Sequence, residues 1–467
     1  MELNYDLIVI GAGPGGYVSA IRAAQEGMKV ALIESREVGG TCLNRGCIPT
    51  KTLIHASHLY REMRSSEKIG IFSGGLSFDI EKIYNRKDEV VGQLRSGIES
   101  LIKSNKIDMI NGIGKITGNH EVTVASDDEI RILETKKILI ASGSVPTVPA
   151  IEGIDLAGVI TSDEMIQQSG TEYKNLVIIG GGVIGVEFAT VFSSLDCQVT
   201  MIEAMDRILP TMDREISQNL NMILKKRGVS IHAGAKVERL EQNDKGLVCH
   251  FNQKGSEKIV EAEAVLVAIG RTANLKDLFG DGVHVKTDRG ILVNEHFQTD
   301  IPDIYAIGDA IHGSVQLAHV ASAQGCNAVA HMIGTSNKTN LDVIPSCIYT
   351  DPEIATVGIT ADQAKKDGIQ VKTGKFNMGA NGKSIIESQE RGFIKVVFDA
   401  ESEVLLGAQL MCARATDLIS ELSTAISNKL TVKQLSSVIR PHPTFTEGVT
   451  EAVEDVEGCG IHVIKKR

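Results

Sequence analysis

Apolar residues in this chain fall into short runs that end on glycine. "YDLIVIG" from Tyr5, "ILIASG" from Ile138, "NLVIIG" from Asn175, "VLVAIG" from Val265 and "DIYAIG" from Asp303 each set aliphatic residues just before a glycine turn. Such runs predict buried strands that end in tight turns. Two of them open one longer plan. "YDLIVIGAGPGGYVSAIRAAQEGMKVALIE" (5–34) and "KNLVIIGGGVIGVEFATVFSSLDCQVTMIE" (174–203) both read strand, Gly-x-Gly-x-x-Gly, helix, strand, glutamate. From first glycine to glutamate the spacing is 23 in each, Gly11 to Glu34 and Gly180 to Glu203. Repeated strand–helix–strand units predict an α/β fold with two Rossmann-like dinucleotide-binding units.

The residue types suit that task. Gly11 and Gly180 permit the tight turn, Gly13 and Gly182 let a pyrophosphate approach the backbone, and Gly16 and Gly185 allow close helix–strand packing. The helix N-terminus then faces the phosphates. Glu34 and Glu203 can accept hydrogen bonds from a ribose diol, and a carboxylate at position 203 repels a 2′-phosphate, so the second site reads as one for NAD. The first unit returns to its sheet much later than the second, at "ILIASGSVP" against "VLVAIGRTAN", so it carries an insertion. Asp309, just past the "DIYAIG" strand, stands where a doubly wound sheet meets a ligand hydroxyl.

Composition narrows the class. The chain has 467 residues, 42% of them hydrophobic, and a formal net charge of −11. Its length predicts about three domains. The acidic balance argues against nucleic-acid and anionic-membrane partners. The longest basic run, 465–467, reads as a solvated tail. Leu176 to Leu195 is long enough to span a membrane, but four of its twenty residues are glycine, which suits strand, turn and helix. The start lacks the basic and apolar regions of a secretory signal, so a cytoplasmic location is expected.

Six of the eight cysteines (197, 249, 326, 347, 412 and 459) are scattered and read as small buried hydrophobes, with no metal-site spacing. Cys42 and Cys47, in "GGTCLNRGCIPTK", are a close pair. Residues five apart on a regular helix rise about 7.5 Å, beyond the ~7 Å limit for a disulfide. Bridging therefore needs an irregular backbone, which Gly46 allows, and Pro49 suits the first turn of a following helix. Cys47 is then placed near a helix N-terminus, which favours thiolate, with Lys51 on the same side. In a reducing compartment such a pair is catalytic before it is structural.

These motifs together resemble the flavin-dependent class I pyridine nucleotide-disulphide oxidoreductases, and most the dihydrolipoamide-oxidising branch of that family. The match runs end to end: "GAGPGG" is similar to the family's FAD motif, "GGTCLNRGCIPTK" to its redox-active disulfide, and "GGGVIGVE" to its NAD motif. "AIGDA" is similar to its second flavin contact and "HPTFTE" to its acid–base dyad. The resemblance implies a Cys42–Cys47 redox disulfide, with Cys42 the interchange thiol and Cys47 the charge-transfer thiol against the flavin. It implies that Lys51 lies near flavin N5 paired with Glu187, and that Val183 shields the flavin until a nicotinamide displaces it. His442 is then the general base, oriented by Glu447 and preceding a cis proline. Gly114, Gly143, Ala318 and Gly270 are added as cofactor-binding positions, and no metal is expected.

The implied cofactors are FAD, tightly but non-covalently bound, and NAD. The implied reaction is oxidation of protein-bound dihydrolipoamide to lipoamide with reduction of NAD. The implied partners are a lipoyl-bearing protein, either the E2 component of a 2-oxo-acid dehydrogenase complex or the glycine-cleavage H protein, and a second copy of the chain whose disulfide His442 reaches. No lipoyl domain precedes Met1, so the substrate is expected on another protein's arm or as a free analogue. The expected division is an FAD domain over 1–147, an NAD domain over 148–271, a central domain over 272–342 and an α+β dimerisation domain over 343–467.

Glutathione reductases place a serine and an arginine where this chain has Pro14 and Ile21, and read NADPH where it has Glu203. Mercuric and large thioredoxin reductases need a second C-terminal redox group, whereas Cys459 is single. Soluble transhydrogenases lack the complete cysteine pair. A flavoprotein sensor or structural subunit needs neither the cysteine pair nor the His–Glu dyad. Two departures stand out. Phe445 and the residues before His442 bear on the shape of the lipoyl channel, and Arg45 is charged where many relatives are apolar, facing solvent or a partner.

Overall fold

Each glycine-terminated run is a strand in the parallel part of one of two sheets. The computed structural model describes residues 4–126, 129–168, 170–336, 339–389 and 391–464, and the basic run 465–467 lies outside them. In the first sheet β1 (Tyr5–Ile10) leads into α1 (Pro14–Gln25) and β2 (Val30–Glu34). The insertion follows as α2 (Gly40–Arg45), α3 (Cys47–Ser65) and α4 (Ile80–Ser104), before β3 (Asp108–Asn111) rejoins the sheet beside β2. A meander of β4 (Ile113–Gly118), β5 (Glu121–Ala125) and β6 (Ile130–Ile140) comes next. The first half of β6 pairs antiparallel with β5, while its second half runs parallel beside β1, with Val9 opposite Leu139. The segment Ile304–Ala306 closes the sheet on the far side of β6. Leu7, Ile8 and Val9 have no solvent exposure, as a strand covered on both faces requires.

The second sheet repeats this order. Asn175–Ile179 lies between Gln198–Glu203 and Ala264–Val267, with Ser230–Ala233 and Val159–Thr161 outside them, all parallel. Past α5 (Ser162–Gln167), the long apolar run beginning at Leu176 is thus a strand, a glycine turn and the helix α6 (Val183–Ser194). Among the described residues no helix is long and apolar enough to cross a membrane. The C-terminal part is a separate five-stranded sheet that begins with Ser346–Ile348, antiparallel at each of its described pairings. The helices Ala415–Ser427 and Glu447–Asp455 pack on it around Phe398, Leu410, Leu422 and Val449.

The two glycine turns match in geometry as well as in sequence. Gly11 and Gly180 take φ of 101° and 111°, a region that side chains disfavour. A Cβ on Gly16 would lie 1.8 Å from the Gly11 carbonyl oxygen, and one on Gly185 would lie 2.0 Å from that of Gly180. Close packing at the third glycine is therefore a steric requirement. A Cβ on Gly182 would meet nothing within 4 Å, at an ordinary negative φ. We expect Gly16→Ala to lower unfolding stability by about 1–3 kcal/mol through overpacking. Gly182→Ala should leave it near the parent value, as read by denaturant midpoints.

Candidate functional site

The cysteine pair owes its geometry to one interruption. α2 ends at Arg45 and α3 starts at Cys47, with Gly46 between them at φ −139° and ψ −107°, outside the helical basin. The break folds the two turns together, so that Cys42 donates its S–H to the Cys47 sulfur, and both stand as free thiols. That hydrogen bond, and then burial, push the Cys42 thiol up. For Cys47 the same bond lowers the pKa, burial opposes it, and the Lys51 ammonium one turn along α3 adds to the lowering. Of the two, Cys47 is the more readily ionised.

Lys51 is held by a buried partner. Its Nζ lies 2.9 and 2.8 Å from the two carboxylate oxygens of Glu187, which is 4% exposed in the middle of α6. The Tyr349 backbone N–H also donates to Glu187 Oε1 at 3.0 Å. Val183, the first residue of α6, stays 36% exposed above this pair.

Glu34 and Glu203 close their glycine turns in the same way. Glu34 accepts from the amides of Ala12 (2.7 Å) and Arg36 (2.9 Å), and Glu203 from those of Gly181 (2.5 Å) and Met205 (2.6 Å). Each carboxylate is thereby aimed along its sheet edge and keeps lone pairs free for a diol. α1 and α6 both begin without any side-chain cap, which leaves their first amides open to an anion.

A cavity of about 1620 Å³ joins these parts. It exceeds the roughly 300–1,000 Å³ of an ordinary ligand pocket. Its wall contains Gly11, Gly13, Glu34, Cys42, Cys47, Lys51, Gly114, Gly143, Asp309 and Ala318 on one side. Gly180, Gly182, Val183, Glu187, Glu203 and Gly270 line the other. Gly16 and Gly185 stand behind it in the helix–strand contacts. Its size, two uncapped helix starts and two pinned carboxylates fit a pair of dinucleotides.

His442 and Glu447 lie apart from this wall, on the C-terminal part. His442 Nδ1 is 2.9 Å from Glu447 Oε1, the imidazole is 78% exposed, and the His442–Pro443 bond is cis. Burial works against the Glu447 charge, but the Thr444 amide and the imidazole together hold its carboxyl below the ordinary value.

Several expectations need correction. Arg45 does not face solvent: it is 6% exposed in the cavity wall, with Nη1 2.6 Å from Glu37 and Nε 3.9 Å from Asp163. The short turn of α2 points it inward, where two carboxylates offset its burial. Phe445 is buried in the core of the C-terminal sheet, in one cluster with Val449 of the helix that carries Glu447. Of the six scattered cysteines only 197, 249 and 412 are buried; Cys459 is exposed, and Cys347 lines the cavity, its thiol pushed up to about 11 by burial.

The sequence also hid a polar relay. Arg271 donates from Nη1 to Asp163 at 2.8 Å and from Nε to the Ser144 hydroxyl at 2.9 Å. Ser144 in turn donates to Asp309 Oδ2 at 2.6 Å. Burial raises the Asp309 pKa, and the serine and arginine oppose it. A signal was present: Ser144 and Arg271 each directly follow the return-strand glycine of their unit, and their segments pair antiparallel.

Comparison with known proteins agrees with this architecture. The family model "Pyridine nucleotide-disulphide oxidoreductase" matches residues 5–325, and that family's dimerisation domain matches residues 344–453. The chain is 40% identical to a dihydrolipoyl dehydrogenase of Bacillus subtilis, covering 99% of this chain and all of that one. It is 38% identical to a dihydrolipoyl dehydrogenase of Zymomonas mobilis at the same coverage. Among solved structures, a Cu(II) complex of the HOCl-induced flavoprotein disulfide reductase RclA from Escherichia coli superposes with a TM-score of 0.87 at 28% identity, covering 98% and 100% of the two chains.

The Lys51–Glu187 pair yields a stability prediction. Lys51→Met should cost about 3–5 kcal/mol by leaving a buried carboxylate unpaired. Adding Glu187→Gln should recover much of that loss, as a double-mutant cycle of denaturant midpoints will show.

Proposed function

Because the chain belongs to the pyridine nucleotide-disulphide oxidoreductases, a family of FAD- and NAD(H)-dependent oxidoreductases, we propose that it oxidises dihydrolipoamide on a lipoyl-bearing protein and reduces NAD. The chain is a flavin-dependent disulfide oxidoreductase, and its C-terminal part is the family's dimerisation domain. The observation that carries the finer reading is the dithiol itself. Cys42 and Cys47 sit in the wall of a cavity that also holds both glycine turns, so electrons can leave the thiols toward either dinucleotide site.

The roles follow from the geometry. In the oxidised protein Cys42 and Cys47 form a disulfide. His442, supplied by the other copy in a homodimer, takes a proton from one substrate thiol, with Glu447 fixing the imidazole through Nδ1 and leaving Nε2 as the accepting atom. The substrate thiolate attacks the Cys42 sulfur, breaks the Cys42–Cys47 bond and leaves Cys47 as thiolate beside Lys51. The second substrate thiol then attacks the first substrate sulfur, closing the lipoamide ring and expelling Cys42, which takes up that thiol's proton while the first proton stays on His442. The two electrons now reside on the cysteine pair. When bound, FAD would supply the two-electron relay between a dithiol and a nicotinamide. Val183 covers the approach to that relay, and Glu203 accepts the adenosine ribose of NAD and disfavours NADP.

Three groups also take cofactor roles in this proposal. Gly11, Gly13, Glu34, Asp309 and Ala318 hold FAD on the first sheet. Gly180, Gly182, Glu203 and Gly270 hold NAD on the second. Lys51 and Glu187 stand between them.

The deciding assay is steady-state turnover of purified holoprotein with dihydrolipoamide and NAD. Cys42→Ser or Cys47→Ser should remove turnover, and His442→Gln should lower it by about 10²–10⁴-fold, the usual range for a lost general base. NAD should outperform NADP, and Glu203→Ala should narrow that preference. Reduction of the flavin by NADH but not by dihydrolipoamide would overturn the lipoyl assignment.

A further inference from the structure

Tyr349 enters the site from the C-terminal sheet, one residue past the strand Ser346–Ile348, and no sequence motif marks it. Its side chain lines the cavity with Lys51, Glu187 and Val183. Two contacts tie it to the ion pair. The backbone N–H donates to Glu187 Oε1 at 3.0 Å, and the Lys51 Nζ lies 4.7 Å from the centre of the ring. The ammonium thus has a carboxylate on one side and a π-face on the other.

The segment that carries Tyr349 is itself clamped. Two residues on, Asp351 pairs with Arg61 of α3, and with Arg227 at 2.6 Å; Arg227 also donates to the Asp351 carbonyl at 2.7 Å. The ring is therefore held from the same helix whose N-terminal turn holds Cys47 and Lys51.

We propose that Tyr349 is a positioning residue: its ring carries the Lys51 ammonium and its amide shares the charge of Glu187, so that the ammonium keeps its field on the Cys47 sulfur. This rests on Cys47 being the thiolate of the proposed reaction. Lys51 favours that thiolate and Glu187 disfavours it. Beside the carboxylate, the ring gives the ammonium a second surface on the cavity side. The ionisable groups around Cys47 are Cys42 and Lys51 on its own helical segments, Glu187 on α6 and Tyr349 on the C-terminal sheet, with Cys347 interacting with both Lys51 and Tyr349.

The test is the pH profile of iodoacetamide alkylation in the reduced holoprotein. Trypsin cuts after Arg45 and so separates Cys42 from Cys47 for mass spectrometry. In the parent the Cys47 midpoint should lie below the ~8.5 of an ordinary thiol. Tyr349→Leu should raise it by about half a unit, the scale of a lost cation–π contact against 1.36 kcal/mol per unit. Tyr349→Phe, which keeps the ring, should restore the parent midpoint. An unchanged midpoint in the leucine protein, or a shift in the phenylalanine protein as large as in leucine, would overturn the role assigned to the ring. A parent midpoint at the ordinary thiol value would overturn the thiolate reading and this inference together. Failure to turn over dihydrolipoamide with the ring effect intact would sink only the substrate.

Discussion

A single buried carboxylate joins the three parts of this molecule. Glu187 sits inside α6 of the second parallel unit, yet its partners come from elsewhere: Lys51 from the insertion of the first unit and the Tyr349 amide from the C-terminal sheet. A carboxylate almost without exposure tolerates no vacancy among its donors, because an unpaired buried charge costs several kcal/mol. The three elements are therefore set against one another by charge as well as by packing. The cysteine pair inherits that rigidity, since Cys47 and Lys51 share one helical turn.

The second organising constraint is the break at Gly46. A continuous helix would space Cys42 and Cys47 too far apart for sulfur chemistry. Ending one helix and starting another at the same glycine brings the thiols into contact and puts Cys47 at a helix N-terminus, where the amides favour negative charge. The asymmetry of the pair, one sulfur raised and the other lowered, follows first from the hydrogen bond that this contact allows between them and then from Lys51, which lowers Cys47 further. Two chemically identical side chains thereby differ in acidity.

Around this centre the two glycine-turn units face a common cavity. Their pinned glutamates and uncapped helices are alike to within a few tenths of an ångström in hydrogen-bond length. Their differences lie in what each unit adds: the first contributes the cysteine insertion, and the second contributes Glu187 and Val183. Arg271 spans the seam, reaching Ser144 of the first unit and Asp163 of the second. A cavity between two sheet edges is where ligands of doubly wound folds bind.

Much of this was legible in the chain alone. Glycine-terminated aliphatic runs, the 23-residue spacing and the Cys42–Cys47 pair around Gly46 depend on local chemistry: backbone freedom, burial on both faces of a strand and the reach of one helical turn. Those features need no distant partner, so position along the sequence is enough to read them. The inward course of Arg45, the burial of Phe445, the relay from Arg271 through Ser144 to Asp309 and the seat of Tyr349 were decided only by tertiary structure. Each depends on residues tens to hundreds of positions away or on which face of a short element meets the core. A charge or an aromatic ring carries no mark in the sequence of the partner that burial will give it.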